Sequence, residues 1–298
     1  MNAEKEKIEL REMDKRESLK VVSDNSLITA QGLADLSINA RKLLYLTIAQ
    51  CRKKDTDFYG YKITPTELAE LFGITRQRVY EKADEITDEL MDIQIRVGQQ
   101  GKRKYTKYHL CALCRYDDDA ILEIKLDKEM AELLLGIDSS FSQPRLWDFL
   151  RMRSTYSMAI WHLMQREMQS KIPGITHKAI EFDLTLDELR EATGTENKFK
   201  QISEFKRYVL DKAIREIRDN LLADITYTNL KRSRKIVGFR CTAVNVFDHI
   251  DPQSLSRKER MKMRYVQLHS MEIRKQQMSA DEKRELEGLV YALDKYED

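Results

Sequence analysis

The chain is predicted to be an α+β protein, mostly helical, built from two tandem winged-helix domains and a helical C-terminal extension. Three observations carry this expectation. The pattern Thr-x-x-Glu-Leu-x-x-x-x-Gly occurs twice, from Thr64 to Gly73 and from Thr185 to Gly194. Each copy leads into a helix-period segment and then into two strand-like segments joined by a basic turn. An amphipathic segment also precedes each copy, in the place of the first helix of a three-helix core.

Residues 1–20 are highly charged and lack an apolar core, so they read as a tail and not as a signal peptide. The first domain is placed at 21–140. Its opening helix lies within Leu27 to Cys51 and includes Ala40 to Gln50. Thr64 and Glu67 have capping-box spacing, in which hydroxyl and carboxylate satisfy otherwise orphaned N–H groups at a helix start. Pro65 suits the first helical position, and Gly73 supplies a left-handed stop. From Thr75 to Leu90, Val79, Ala83, Ile86 and Leu90 form one apolar stripe. Arg76, Gln77, Arg78, Tyr80 and Lys82 occupy the opposite face. A strand from Asp92 to Val97, a basic turn from Gly101 to Lys107 and a strand from Tyr108 to Tyr116 make the wing.

The second domain is placed at 141–250 and repeats this order. Leu146 to Met168 supplies its opening helix, and the second capping box and glycine follow. Phe205, Val209, Ala213, Ile217 and Leu221 form the next stripe, leaving Lys206, Arg207, Lys212 and Arg215 largely outward. Strands Asp224 to Thr228 and Ile236 to Val246 flank the turn Lys231 to Lys235. The extension, 251–298, holds a basic run of Arg257, Lys258, Arg260, Lys262 and Arg264 in a helix ending near Gln277. Ser279 and Glu282 then form a further capping box ahead of Leu286, Leu289, Val290 and Leu293. This hairpin either packs back on the second domain or presents its apolar stripe to a partner protein or a second copy.

The 298 residues suit two compact units plus tails, and 10 Gly with 4 Pro leave little for long linkers. No apolar run approaches the roughly 20 residues of a membrane helix. Cys51, Cys111, Cys114 and Cys241 form no disulfide framework, which points to a reducing cytoplasm. Net charge is only +2, but its distribution is uneven. Residues 198–235 carry eleven Lys or Arg against five Asp or Glu, and Gln99 to Tyr108 carries four basic residues and no acid. Such concentration is the electrostatic footprint of a phosphate-binding surface.

Catalysis finds little support. None of His109, His162, His177, His249 and His269 lies two residues from another, as a metal-dependent nickase requires. The one Gly-Lys, Gly101-Lys102, is followed by Arg103 and not by the Ser or Thr of a phosphate-cradling loop. Cys111 and Cys114 read as packed strand cysteines more simply than as zinc ligands, and Asp117 to Asp119 as a solvated turn. Trp147, Phe149, Tyr156 and Trp161 read as core and interface residues. No enzyme activity, metal or cofactor is expected.

Ser154-Thr-Tyr-Ser157, Ile160 to Leu163 and above all Phe205-Lys-Arg-Tyr-Val-Leu-Asp-Lys-Ala-Ile-Arg-Glu-Ile217 resemble the plasmid replication initiators that bind iterons. Asn25 to Ile28 and Lys42 to Leu44 resemble the opening of the same family, so the similarity covers about residues 21 to 247. Arg218-Asp219 departs from it where the family often has Asn. The resemblance implies a double-stranded DNA partner with origin direct repeats, distortion of adjacent AT-rich DNA, and recruitment of a host initiator and helicase. It also implies a monomer–dimer equilibrium, with monomers activating the origin and dimers repressing the initiator gene. By position, Lys198, Lys200, Ser203, Lys206 and Arg207 lie near the head of the second recognition helix. Arg207 is the leading candidate for a bidentate guanine contact, and Ser203 for a helix cap in preference to a phosphate contact. Arg76, Gln77, Arg78 and Tyr80 correspond in the first domain, with backbone positioning their expected role. Lys102, Arg103, Lys104, Lys231, Arg232, Arg234 and Lys235 are expected on phosphates. A duplicated winged-helix transcriptional regulator is the competing reading.

Overall fold

The computed structural model describes residues 19–52, 55–98, 103–117, 121–169, 179–221, 223–244, 264, 268 and 278–294. The chain packs as two compact units. One comprises the described residues of 1–166 with 187–213, the other those of 167–186 with 214–298. The first unit therefore includes residues 141–166 and 187–213, which the sequence places in the second domain.

Within the first unit, β1 (Ser23–Asp24) and α1 (Asn25–Ile28) lead to α2 (Ile38–Ala49). Ser37 caps α2 by accepting the Ala40 N–H at 3.2 Å. After β2 (Tyr61–Ile63), α3 (Pro65–Phe72) opens on the expected capping box. Thr64 N–H donates to Glu67 Oε2 at 2.7 Å and Glu67 N–H returns to Thr64 Oγ1 at 3.3 Å. Gly73 closes the helix at φ 65°, a left-handed turn open to glycine without steric cost. A 3₁₀ turn at Arg76–Arg78 then feeds α4 (Val79–Asp92). Helices α2, α3 and α4 pack on one another, with Leu43, Leu44, Leu68, Val79, Ala83, Ile86 and Leu90 in the core.

The first wing corrects one expectation. The predicted strand from Tyr108 to Tyr116 divides at Leu110 into β4 (Thr106–His109) and β5 (Cys111–Tyr116). β4 pairs antiparallel with β3 (Gln94–Val97), forming the wing hairpin. β5 instead joins a second sheet of order β2-β6-β5, where β6 is Leu122–Leu126. The buried Leu110 marks where the chain leaves one ladder for the other.

Beyond β6 come α5 (Ala131–Leu134), β7 (Phe141–Ser142), α6 (Leu146–Leu150) and α7 (Thr155–Gln169). α6 packs on α2, where Phe149 and Tyr45 meet at 4.5 Å between ring centroids. Trp161 is buried and donates its indole N–H to Asp148 at 3.1 Å. Asp148 is also paired with Arg145 at 2.8 Å. The buried Arg41 donates to the carbonyls of Thr155 at 2.9 Å and Leu33 at 2.5 Å, tying α2 to the head of α7. Of the aromatic residues expected in the core, Phe149 and Trp161 lie there, whereas Trp147 and Tyr156 are only half-buried.

The repeat resumes with β8 (Ile180–Thr185), α8 (Leu186–Thr193), α9 (Ile202–Phe205), a π-helical turn at Lys206–Leu210 and α10 (Asp211–Asn220). β9 (Asp224–Arg232) and β10 (Lys235–Val244) form a long hairpin, and β8 completes a sheet of order β8-β10-β9. Leu189, Phe205, Val209, Ala213, Ile217 and Phe239 are buried. In the extension, α11 (Ala280–Asp294) opens on the predicted Ser279–Glu282 capping box. Arg264 holds Glu285 in a two-pronged ion pair at 2.8 and 3.0 Å, and Leu286 is buried while Val290 is exposed. The basic residues from Arg257 to Lys262 lie outside the described residues.

Candidate nucleic-acid interface

The head of the first recognition helix is basic and its body is acidic. Arg76, Gln77 and Arg78 are exposed on the 3₁₀ turn, which the Arg78 N–H closes onto the Thr75 carbonyl at 3.0 Å. Beyond them α4 carries Glu81, Asp84, Glu85, Asp88, Glu89 and Asp92. Lys82, half-buried, is bound to Glu85. Tyr80 is exposed but rests edge-on against Tyr116 at 5.3 Å. Phosphate would be repelled along most of this helix, leaving its first turn as the part suited to DNA.

On the first wing Arg103 and Lys104 are exposed, while Lys102 lies outside the described residues. Arg96 supports this hairpin in a way the sequence did not reveal. Its guanidinium lies 4.2 Å from the Tyr105 ring centroid and donates to Gln31 Oε1 at 2.9 Å.

The second head is organised by Arg190, a residue of α8 that sequence reasoning passed over. Its guanidinium donates to the carbonyls of Thr195, Lys198 and Phe199, each at 2.8 Å. It also lies 4.9 Å from the centroid of the buried Phe205 ring. One planar, five-donor group thereby holds the whole connection between α8 and the next helix. Lys198 and Lys200 sit exposed on that connection. No local pattern marks Arg190, because its partners are carbonyls brought round by the turn.

Gln201, without a side-chain cap bond, precedes α9, and Ser203 is an exposed residue of the first turn. The expected capping role of Ser203 is thus corrected: the helix begins too early for its hydroxyl to serve. The π turn takes in Lys206, Arg207 and Tyr208; Arg207 is exposed and Lys206 half-buried. Arg207 lies 5.3 Å and the Lys212 ammonium 5.5 Å from the Tyr208 ring centroid, and Phe199 stacks on that ring at 5.8 Å. Lys212 and Arg215 are exposed further along the helix.

At the second wing Lys231, Arg232, Arg234 and Lys235 are all exposed, around a tight turn with Ser233 at φ 58°. Gly238 lets the strands close up, since a Cβ there would meet the Leu184 carbonyl oxygen at 2.4 Å. Arg240 is held by Asp183 through two bonds at 2.9 and 3.0 Å. Among the described residues no group of three or more His, Cys, Asp or Glu is placed to hold a metal ion. No described helix is long and apolar enough to cross a membrane.

Two helix-turn-helix units, each with a cationic helix head and a cationic wing, define a duplicated winged-helix DNA-binding protein. The model of the initiator replication protein family's first winged helix matches residues 20–165, and that of its second matches residues 185–242. Together they cover more than half of the chain, which belongs to the replication initiator protein family. Among solved structures it is similar to the Pi initiator protein in complex with iteron DNA. The TM-score is 0.64 at 21% identity, over 78% of this chain and 98% of that one. No match was found among curated proteins.

Proposed function

We propose that this chain initiates plasmid replication by binding direct-repeat iterons at an origin, reading bases chiefly with its second recognition helix. The observation that carries this reading is the contrast between the two helices. The first is cationic at Arg76 and Arg78 and then mainly acidic, its one further cation, Lys82, being paired with Glu85, whereas the second keeps Arg207, Lys212 and Arg215 exposed along its length. The first head then positions the protein on phosphates while Arg207 reads a guanine. Lys198, Lys200, Ser203 and Lys206 add contacts at the second head. The wing cations Lys102, Arg103, Lys104, Lys231, Arg232, Arg234 and Lys235 neutralise phosphates. That the similar Pi structure holds iteron DNA supports the choice of target.

Binding would distort adjacent AT-rich DNA. The sequence offers no phosphate-cradling loop of its own, so unwinding falls to a recruited host initiator and helicase. A dimeric form would repress the initiator gene. Footprinting the purified chain over the DNA beside its gene tests the reading. Protection of several direct repeats of about 20 base pairs, next to an AT-rich segment, is expected. Protection confined to one operator overlapping a promoter would establish the regulator reading instead.

A further inference from the structure

We propose that Tyr208 is a positioning residue that aims Arg207 at its base, with Phe199 and Arg190 holding the aromatic ring in place. This deepens the initiator reading and rests on it. Tyr208 follows Arg207 in sequence, and on an α-helix neighbouring side chains diverge by about 100°. The π turn over Lys206–Leu210 holds more residues per turn, so neighbours diverge less. The Arg207 guanidinium carbon accordingly comes within 5.3 Å of the Tyr208 ring centroid, inside cation–π range.

The ring is itself fixed from outside its own helix. Phe199 stacks on it at 5.8 Å with 28° between planes. Phe199 adopts φ 48°, a left-handed conformation that non-glycine residues resist and that surrounding structure must hold. Arg190 supplies that hold by donating to the Phe199 carbonyl and to the carbonyls of Lys198 and Thr195. Lys212, 5.5 Å from the ring centroid, adds a second cation to the cluster. Tyr208 remains 40% exposed beside two exposed cations, an arrangement that core packing does not explain. A long arginine side chain loses rotamer freedom on binding DNA, and a ring that already restrains it removes part of that cost.

The test measures full-length protein on three duplexes: one direct repeat, that repeat with the Arg207-dependent base pair changed, and a random sequence. Arg207→Ala first identifies that base pair. Tyr208→Leu is expected to lower discrimination there about three- to fivefold while leaving random-duplex affinity and melting temperature near those of the wild type. Tyr208→Phe, which keeps the ring and removes the hydroxyl, should retain discrimination. In an Arg207→Ala background, Tyr208→Leu should have no further effect at that position. Phe199→Leu removes the stack from the other side and should reproduce the Tyr208→Leu pattern, providing a second probe if Tyr208→Leu misfolds. Unchanged discrimination in both leucine variants, a Tyr208→Phe loss equal to that of Tyr208→Leu, or independent addition with Arg207→Ala would overturn the positioning role. A wild-type chain that bound repeat and random duplexes alike would overturn the initiator reading along with it.

Discussion

Arg207 and Arg232 are both exposed cations, and the proposed function gives them different work. Arg207 projects from a helix head, where a guanidinium can present two parallel donors to the edge of a guanine. Arg232 ends β9 at a hairpin tip, a position suited to phosphate. Arg207→Ala should therefore cost about 1–3 kcal/mol of discrimination at one base position. Arg232→Ala should weaken all duplexes alike and reduce the salt slope by about one. Equilibrium binding across a salt series checks both, and equal losses on specific and random DNA in Arg207→Ala would remove its base-reading role. Arg207 was legible because helical periodicity separates an apolar stripe from the face opposite it, and Arg232 because it falls in a basic turn between two strand-like segments. Arg190 was not, since its partners are backbone carbonyls five to nine residues ahead that only a folded turn gathers. Lys82 showed the converse: placed outward by periodicity, it is held by Glu85 three residues on.

Elements begin and end where local chemistry requires. The Thr64–Glu67 box closes as the spacing predicted, and both repeat glycines take left-handed turns, φ 65° at Gly73 and 61° at Gly194. Their spatial settings differ. A Cβ at Gly73 would meet nothing within 4 Å, whereas one at Gly194 would lie 2.7 Å from the Ala34 Cβ. Gly73→Ala should thus cost about 1 kcal/mol, for backbone strain alone. Gly194→Ala should cost roughly 2–3 kcal/mol, because strain and overpacking add. Urea unfolding compares them, and equal losses would mean that the approach to Ala34 relaxes freely. Other element-scale features escaped the sequence. β-propensity runs on through Leu110, so nothing local announced that the strand changes sheets there. The π turn under Lys206–Leu210 has the same apolar stripe as an α-helix and left no separate mark.

At the scale of the whole molecule, the first unit encloses a buried polar contact among three separate elements. His162 of α7 meets the Ser142 hydroxyl of β7 at 2.9 Å and the Tyr45 hydroxyl of α2 at 3.5 Å. Burial pushes the His162 imidazole down to about 3, with the charges of Arg41 and Arg166 acting in the same direction. The unfolded chain takes up this proton near pH 6.5, and the folded chain does so only near pH 3. Stability is therefore full above about pH 6.5 and falls as pH drops through that window, by up to about 1.4 kcal/mol per pH unit from this group. His162→Gln should flatten that part of the slope; identical slopes for variant and wild type, in urea unfolding from about pH 7 to 4, would refute a neutral buried ring. By itself the sequence determined the duplication, the order of helices and wings, and the stretches that concentrate positive charge. Capping, helical period and turn chemistry act over a few residues, so they are written locally. Tertiary structure alone decided that α6 packs on α2, that Arg190 binds three carbonyls, and that Phe199 stacks on Tyr208. Those contacts join residues that no short-range pattern relates, and they form only when packing brings distant or turned-back segments together.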